Sequence, residues 1–303
     1  MTQESMEEKT IVITGATSGI GRALALGLGR AGTNLVLVGR NERVGQRLVR
    51  QIRYHSSASR AGFFCADLSN LKDVRSLASE LKERYKRVEI LINNAGARFN
   101  HFEETSDGIE RTFATNHLGH FLLTTLLFDH LLEARAARII TVGSGAHFGV
   151  SGTPSWSLTR ATYDRKIAYG LSKLANIIFA YELARRLTGT SVTSNAVDPG
   201  GVATNLGRNN GWIPWLRHLA FYALKGQLIT ARQAAGHIVF LALAEELKGV
   251  TGHYFFERKP VMSSRLSQDI AIARELWSMS VKLTGIDASL GKSWEYVQPQ
   301  DGP

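Results

Sequence analysis

A single cysteine, Cys65, in 303 residues excludes an internal disulfide framework. It sits in the apolar run "GFFCADL", where the sequence predicts an inert, buried thiol. The six prolines fall mostly in loops, and no low-complexity linker or repeat interrupts the chain. No run of 18 uncharged apolar residues occurs; the most apolar stretch, "FLLTTLLFDHLLE", is broken by Asp129, His130 and Glu133 and suits a buried helix better than a membrane span. The opening "MTQESMEEKT" lacks the basic start and apolar core of a secretion signal, so a cytoplasmic location is expected. Acidic residues are outnumbered by basic ones, 26 against 36, leaving a formal charge of +10. The arginines of "RNERVGQRLVRQIR" alternate with Val, Leu and Ile in the manner of a helix with one solvated face, which accounts for the charge with an anionic cofactor using some of it; no stacking aromatics interleave them, which argues against nucleic acid. His117 and His120 have no nearby cysteine or acidic ligand, so no metal site is expected; helix packing or capping is their predicted role.

What the chain does have is alternation. Short β-branched runs at 10–15, 34–39, 61–67, 88–94, 138–144, 191–198 and 251–256 are separated by longer helical patterns. That order predicts an α/β fold of the Rossmann type, a doubly wound parallel sheet of seven strands with helices on both faces. One catalytic domain is read over 1–257, followed by an extension over 258–303 that contains an amphipathic helix and a polar end.

The first strand runs into "TGATSGIGRALALGLGRAG". Gly15, Gly19 and Gly21, with Thr17, Ser18 and Ile20 between them, let the backbone approach a pyrophosphate at a helix N-terminus. At the end of the second strand stand Gly39 and Arg40, where a fold that prefers NAD usually carries an acid for the ribose hydroxyls. A guanidinium suits a ribose phosphate, so NADPH is the expected cofactor. Further on, "YGLSK" places Tyr169 and Lys173 four apart on one helix face beside Ser172. A cation within ~4–6 Å favours phenolate, which prepares Tyr169 to move a proton.

These pieces resemble the short-chain dehydrogenase/reductase family from residue 8 to about 257. The resemblance implies that "TGATSGIG" is its glycine motif, that Asp67, followed by Leu68, contacts the adenine, and that Asn94, Ala95 and Gly96 of "NNAG" support the central strand beside the cofactor. It also implies a catalytic tetrad of Asn116, Ser144, Tyr169 and Lys173, with Asn116 placing a water that connects Lys173 to solvent. Pro199, Gly200, Val202 and Thr204 of "PGGVAT" resemble the nicotinamide contacts. "NHLGHF", the interval from Ser144 to Tyr169 and the C-terminal segment look most like the retinol-dehydrogenase-type branch. Three departures stand out: Gly143 where the family commonly has serine, Asp198 where the branch usually has histidine, and no N-terminal membrane anchor ahead of the fold.

Open α/β sheets bind ligands beyond the carboxyl ends of their strands. Three segments are placed for a substrate pocket: "ARFNHF" with Phe99, "HFGVSGTPSW" with His147 and Phe148, and a helical lid at about 205–227 with Trp212 and Trp215. The expected activity is NADPH-dependent interconversion of a ketone or aldehyde and its alcohol on a bulky apolar substrate: terpenoid, retinoid-like, steroid-like or polyketide. A narrow-substrate tailoring ketoreductase and a cofactor-binding protein with little turnover are the alternatives. Homodimerisation and a peripheral membrane contact through the lid are left open.

Overall fold

The computed structural model describes residues 9–56, 60–202 and 228–286. Six parallel strands follow the predicted runs: β1 (Thr10–Thr14), β2 (Asn34–Gly39), β3 (Arg60–Cys65), β4 (Ile90–Asn93), β5 (Arg138–Val142) and β6 (Thr193–Asp198). Gly201–Val202 (β7) and Leu228–Ile229 (β8) form a separate parallel pair. β9 (Tyr254–Phe256) joins the main sheet beside β6, and β10 (Lys259–Val261) adds an antiparallel edge, so the main sheet has eight strands in the order β10-β9-β6-β5-β4-β1-β2-β3. The eighth strand corrects the expected seven. Three residues containing a proline give no strand signal, but an edge position tolerates Pro260 because its missing N–H faces away from any partner. Its two-residue turn, Glu257 and Arg258, has φ of +47° and +71°, the left-handed geometry that a tight hairpin requires even without glycine.

Both faces of the sheet are dry, as parallel sheets require. In β1, Ile11 and Ile13 point to the face covered by α1 (Gly19–Gly29), α2 (Glu42–His55) and α8 (Ala231–Leu243), where Leu24, Leu28, Ile52 and Ile238 meet them. Val12, between them, points to the face covered by α3 (Leu71–Arg84), α5 (Gly119–Leu126), α7 (Arg165–Arg186) and α10 (Ile270–Thr284). The helices start where short polar side chains accept backbone N–H groups: Asn41 for α2, Asn70 for α3, Asp164 for α7 and Asp269 for α10. Here α10, predicted as the amphipathic helix of the extension, packs against α5 and α7. Trp277 lies edge-on to Phe121 at 5.0 Å and stacks on Phe179 at 6.1 Å, with the Arg186 guanidinium 4.1 Å over its ring.

Ahead of α5, α4 (Arg111–Phe113) passes into a π-turn, Ala114–Leu118, that holds Asn116 and His117 in a buried position. His117 is enclosed by the rings of Phe113, Phe121 and Phe179, and its Nε2 donates to Ser280 Oγ on α10. His120, on the first turn of α5, is also fully buried. Burial holds His117 down to about 3 and His120 to about 4, from the ordinary 6.5. Cys65 is exposed, which corrects the expectation of a buried thiol: β3 is the outer strand of the sheet, and its last residue lies past the helices that cover Phe64.

The histidines make stability fall in acid. The unfolded chain takes up protons at its histidines near 6.5, whereas the folded chain resists until about 4 and 3, so stability is full above 6.5 and drops as pH falls below it. By pH 5 each ring contributes a loss of about 2 kcal/mol. Melting curves of wild type and His117→Gln from pH 7.5 to 5 should show a shallower decline in the variant; parallel declines would place the acid sensitivity elsewhere.

Candidate active site

The chain reverses direction across the sheet between β1 and β4, and a cavity of about 850 Å³ opens there, beyond the strands' carboxyl ends. Its floor is the glycine turn. Gly15 has a φ of +67°, and a Cβ on Gly21 would lie 2.2 Å from the Gly15 carbonyl oxygen, so neither position accepts a side chain. Thr17, Ser18, Gly19 and Ile20 line the same end. α1 starts differently from its capped neighbours: Ser18 makes no side-chain cap bond and the first turn holds no acid. The N–H groups there face the cavity with the positive end of the helix dipole, a fit for an anionic pyrophosphate.

Arg40, Asp67 and Leu68 line the same cavity beyond the ends of β2 and β3. Arg40 leaves β2 with its side chain 59% exposed and its Nη1 3.8 Å from Asp67 Oδ2. The other carboxylate oxygen of Asp67 accepts from the backbone and hydroxyl of Ser69, which fixes its orientation. An exposed pair of this kind contributes little to stability and leaves the guanidinium able to turn toward a phosphate. From β4, Asn94 donates its amide to the Thr14 carbonyl at 2.7 Å and, with Ala95 and Gly96, borders the middle of the cavity.

Ser144, Tyr169 and Lys173 line the other end, together with Pro199, Gly200 and Val202. Ser144 follows β5 in extended backbone and its Oγ accepts from the Ala146 N–H at 3.2 Å, so the hydroxyl hydrogen is the part offered to a ligand. Tyr169 and Lys173 lie one turn apart on α7, with the ammonium 5.8 Å from the centre of the phenol ring. Lys173 is buried, and its Nζ donates to the Val142 carbonyl at 2.9 Å. Burial lowers its pKa from 10.5 to about 8, against the pull of the Asp198 carboxylate, so the ammonium keeps its proton at neutral pH.

Asn116 sits behind this wall, wholly buried on the π-turn. Its Oδ1 accepts from the Ala97 N–H at 2.7 Å, and its Nδ2 donates to the Ala97 carbonyl and to Ser172 Oγ, both at 2.9 Å. Ser172 in turn donates to the Tyr169 carbonyl at 2.8 Å, which ties the π-turn to the turn of α7 that carries the phenol. Gly96 is the junction: a Cβ there would meet Lys173 Nζ at 3.6 Å and Asn116 Oδ1 at 3.8 Å.

The expected substrate residues separate from this group. His147 is fully buried; its Nδ1 bonds the Ser144 carbonyl at 2.7 Å and its Nε2 accepts the Ser264 N–H at 3.1 Å, so both ring nitrogens are committed within the protein. Phe148 is 58% exposed, and Phe99 is buried under the Arg111 guanidinium. None of the three lines the cavity. Thr204, Trp212, Trp215 and the lid at 205–227 lie outside the described residues. The cavity wall near Tyr169 is instead made by Ala97, Arg98, Thr115, Ala146, Lys166 and Ile167, which the sequence reading did not select. Helical spacing could have found Lys166, three residues before Tyr169 on α7.

The short chain dehydrogenase family model matches residues 9–211. The chain is 38% identical to human retinol dehydrogenase 13 over 291 residues, covering 92% of this chain and 86% of that protein. Polyprenol dehydrogenase of mouse is 37% identical over 296 residues, 94% of this chain and 87% of the relative. Among solved structures, the Pseudomonas aeruginosa RhlG/NADP active-site complex aligns with a TM-score of 0.67 at 25% identity, covering 82% of this chain and 93% of that one. A glycine cradle at an uncapped helix, a tyrosine and a lysine one turn apart over the same cavity, and a family match across most of the fold together show that this chain belongs to the short-chain dehydrogenase family, as an oxidoreductase related to retinol and polyprenol dehydrogenases.

Proposed function

We propose that the protein is an NADP(H)-dependent reductase or dehydrogenase that interconverts a ketone or aldehyde and its alcohol on a bulky apolar substrate. One observation carries the reading: Ser144, Tyr169 and Lys173 line the same cavity as the uncapped glycine turn. The bound nicotinamide would supply or accept the hydride. Tyr169 is then the proton donor to a carbonyl oxygen, or the acceptor from an alcohol, and the nearby ammonium of Lys173 favours the phenolate that remains. Ser144 donates its hydroxyl hydrogen to the same substrate oxygen, stabilising charge that develops on it. Asn116 holds the Ala97 backbone and, through Ser172, the Tyr169 turn, so its part is to keep these groups at fixed distance.

Retinol and polyprenol, named in the relatives, are long apolar alcohols, which supports a lipophilic substrate here. Lys166 and Arg98 at the wall near Tyr169 add cationic character to an otherwise apolar approach. Support for the phosphorylated cofactor comes from Arg40, which stands at the end of β2 where an acid would repel a phosphate.

Two measurements test the reading. Arg40→Ala should weaken NADPH binding by about ten- to a hundred-fold while changing NADH little, read by titrating both cofactors into wild type and variant. A wild type that prefers NADH would reject the assignment. Tyr169→Phe keeps the ring and removes the proton, so cofactor binding should persist while turnover of retinaldehyde or decanal falls by ~10² or more; retained turnover would give the proton to another group.

A further inference from the structure

His120 stands one turn after Asn116, outside the cavity, and takes no direct part in the chemistry above. Its hydrogen bonds nevertheless admit one arrangement. Nδ1 lies 2.9 Å from the Asn116 carbonyl oxygen, which can only accept, so Nδ1 carries the hydrogen. Burial and the Lys173 ammonium keep the ring neutral, which leaves Nε2 a bare acceptor 2.9 Å from Thr14 Oγ1. The hydroxyl hydrogen of Thr14 therefore points to the ring; its other acceptor within reach, the Ile92 carbonyl, is farther at 3.3 Å. That choice frees the two lone pairs of Thr14 Oγ1 for the N–H groups of Asn94 at 2.9 Å and Ala95 at 3.0 Å. One hydrogen and two lone pairs are all a hydroxyl has, and each is used.

We propose that His120 is a positioning residue that locks the π-turn carrying Asn116 to the cofactor side of the cavity, through Thr14 and the Asn94–Ala95 backbone. Its two bonds leave different edges of a rigid ring, so the distance between the Asn116 backbone and the first strand is set by the width of an imidazole. A ring that reversed its tautomer would offer a donor to Thr14 and a lone pair to the Asn116 carbonyl. Thr14 would then have to give up an N–H from Asn94 or Ala95, and two acceptors would face each other at Asn116. This inference rests on the proposed function of the site, and its test includes a measurement that does not.

The side-chain amides of Asn and Gln reach different ends of the space an imidazole fills. In the full-length chain, His120→Asn keeps a donor near the Asn116 carbonyl and loses the partner of Thr14; His120→Gln does the reverse. The first should raise the NADPH dissociation constant by about ten-fold with a smaller change in kcat, and the second should lower kcat by about ten-fold with a smaller change in cofactor affinity. Adding His120→Phe to Thr14→Val should cost no further cofactor affinity, because the valine has already removed the ring's partner on the first strand. Nitrogen-15 NMR of the wild-type ring should show the Nδ1–H tautomer from pH 6 to 8, whether or not any carbonyl tested is turned over. An Nε2–H tautomer or a charged ring would overturn the proposal, as would a His120→Phe variant that melts at lower temperature yet keeps kcat and cofactor affinity within two-fold. Wild type inactive on every carbonyl but with the Nδ1–H tautomer and the cofactor effects intact would reject the catalytic reading and leave the link standing.

Discussion

A full positive charge held out of water is the constraint to which the rest of the site conforms. Moving an ammonium into an apolar interior costs several kcal/mol unless polar groups replace its hydration. Lys173 has the Val142 carbonyl as a direct partner and the Asp198 carboxylate as a counter-charge, and these leave it depressed to about 8 rather than neutral. Gly96 and the π-turn border the ammonium: a Cβ at Gly96 would come into ordinary contact with both Nζ and Asn116 Oδ1. The lysine thus explains why a helix bearing so many buried residues carries a charge near its middle.

Around that charge, order is kept by hydrogen bonds whose direction is decided by elimination. Carbonyls can only accept and backbone N–H groups can only donate, so the bonds of Ser172, Thr14, His120 and His147 each follow from their neighbours. The cofactor end is the opposite case. Ser18 leaves the start of α1 without a side-chain partner, and Arg40 meets Asp67 only loosely. The reaction proposed above needs both: a proton donor held still at the rigid end and an open end where a large anion can come and go.

Much of this was legible in the sequence because the relevant spacings are local. The β-branched runs gave the parallel strands, and Tyr169 and Lys173 share a face because they are four apart on a helix. What was not legible depends on partners far along the chain. His147 looked available from its place three residues after Ser144, but the N–H that occupies its second nitrogen belongs to Ser264, 117 positions away. Cys65 reads as buried from its apolar neighbours, whereas its exposure follows from β3 being outermost, a property of strand order. β10 has too few residues and a proline, so only its pairing with β9 reveals it. Thr14 and His120 are separated by 106 positions, and no local pattern joins them.

The docking of α10 has a consequence for how the chain is made. The apolar faces of Phe121 and Phe179 are completed by Trp277, which a ribosome adds long after α5 and α7 have emerged. From Arg186 to Ile270 the chain grows by 84 residues, roughly 4–17 s of synthesis at ~5–20 residues per second. For that interval the nascent protein carries an uncovered aromatic patch on α5 and α7, the kind of surface that holding chaperones bind and that associates with other unfinished chains.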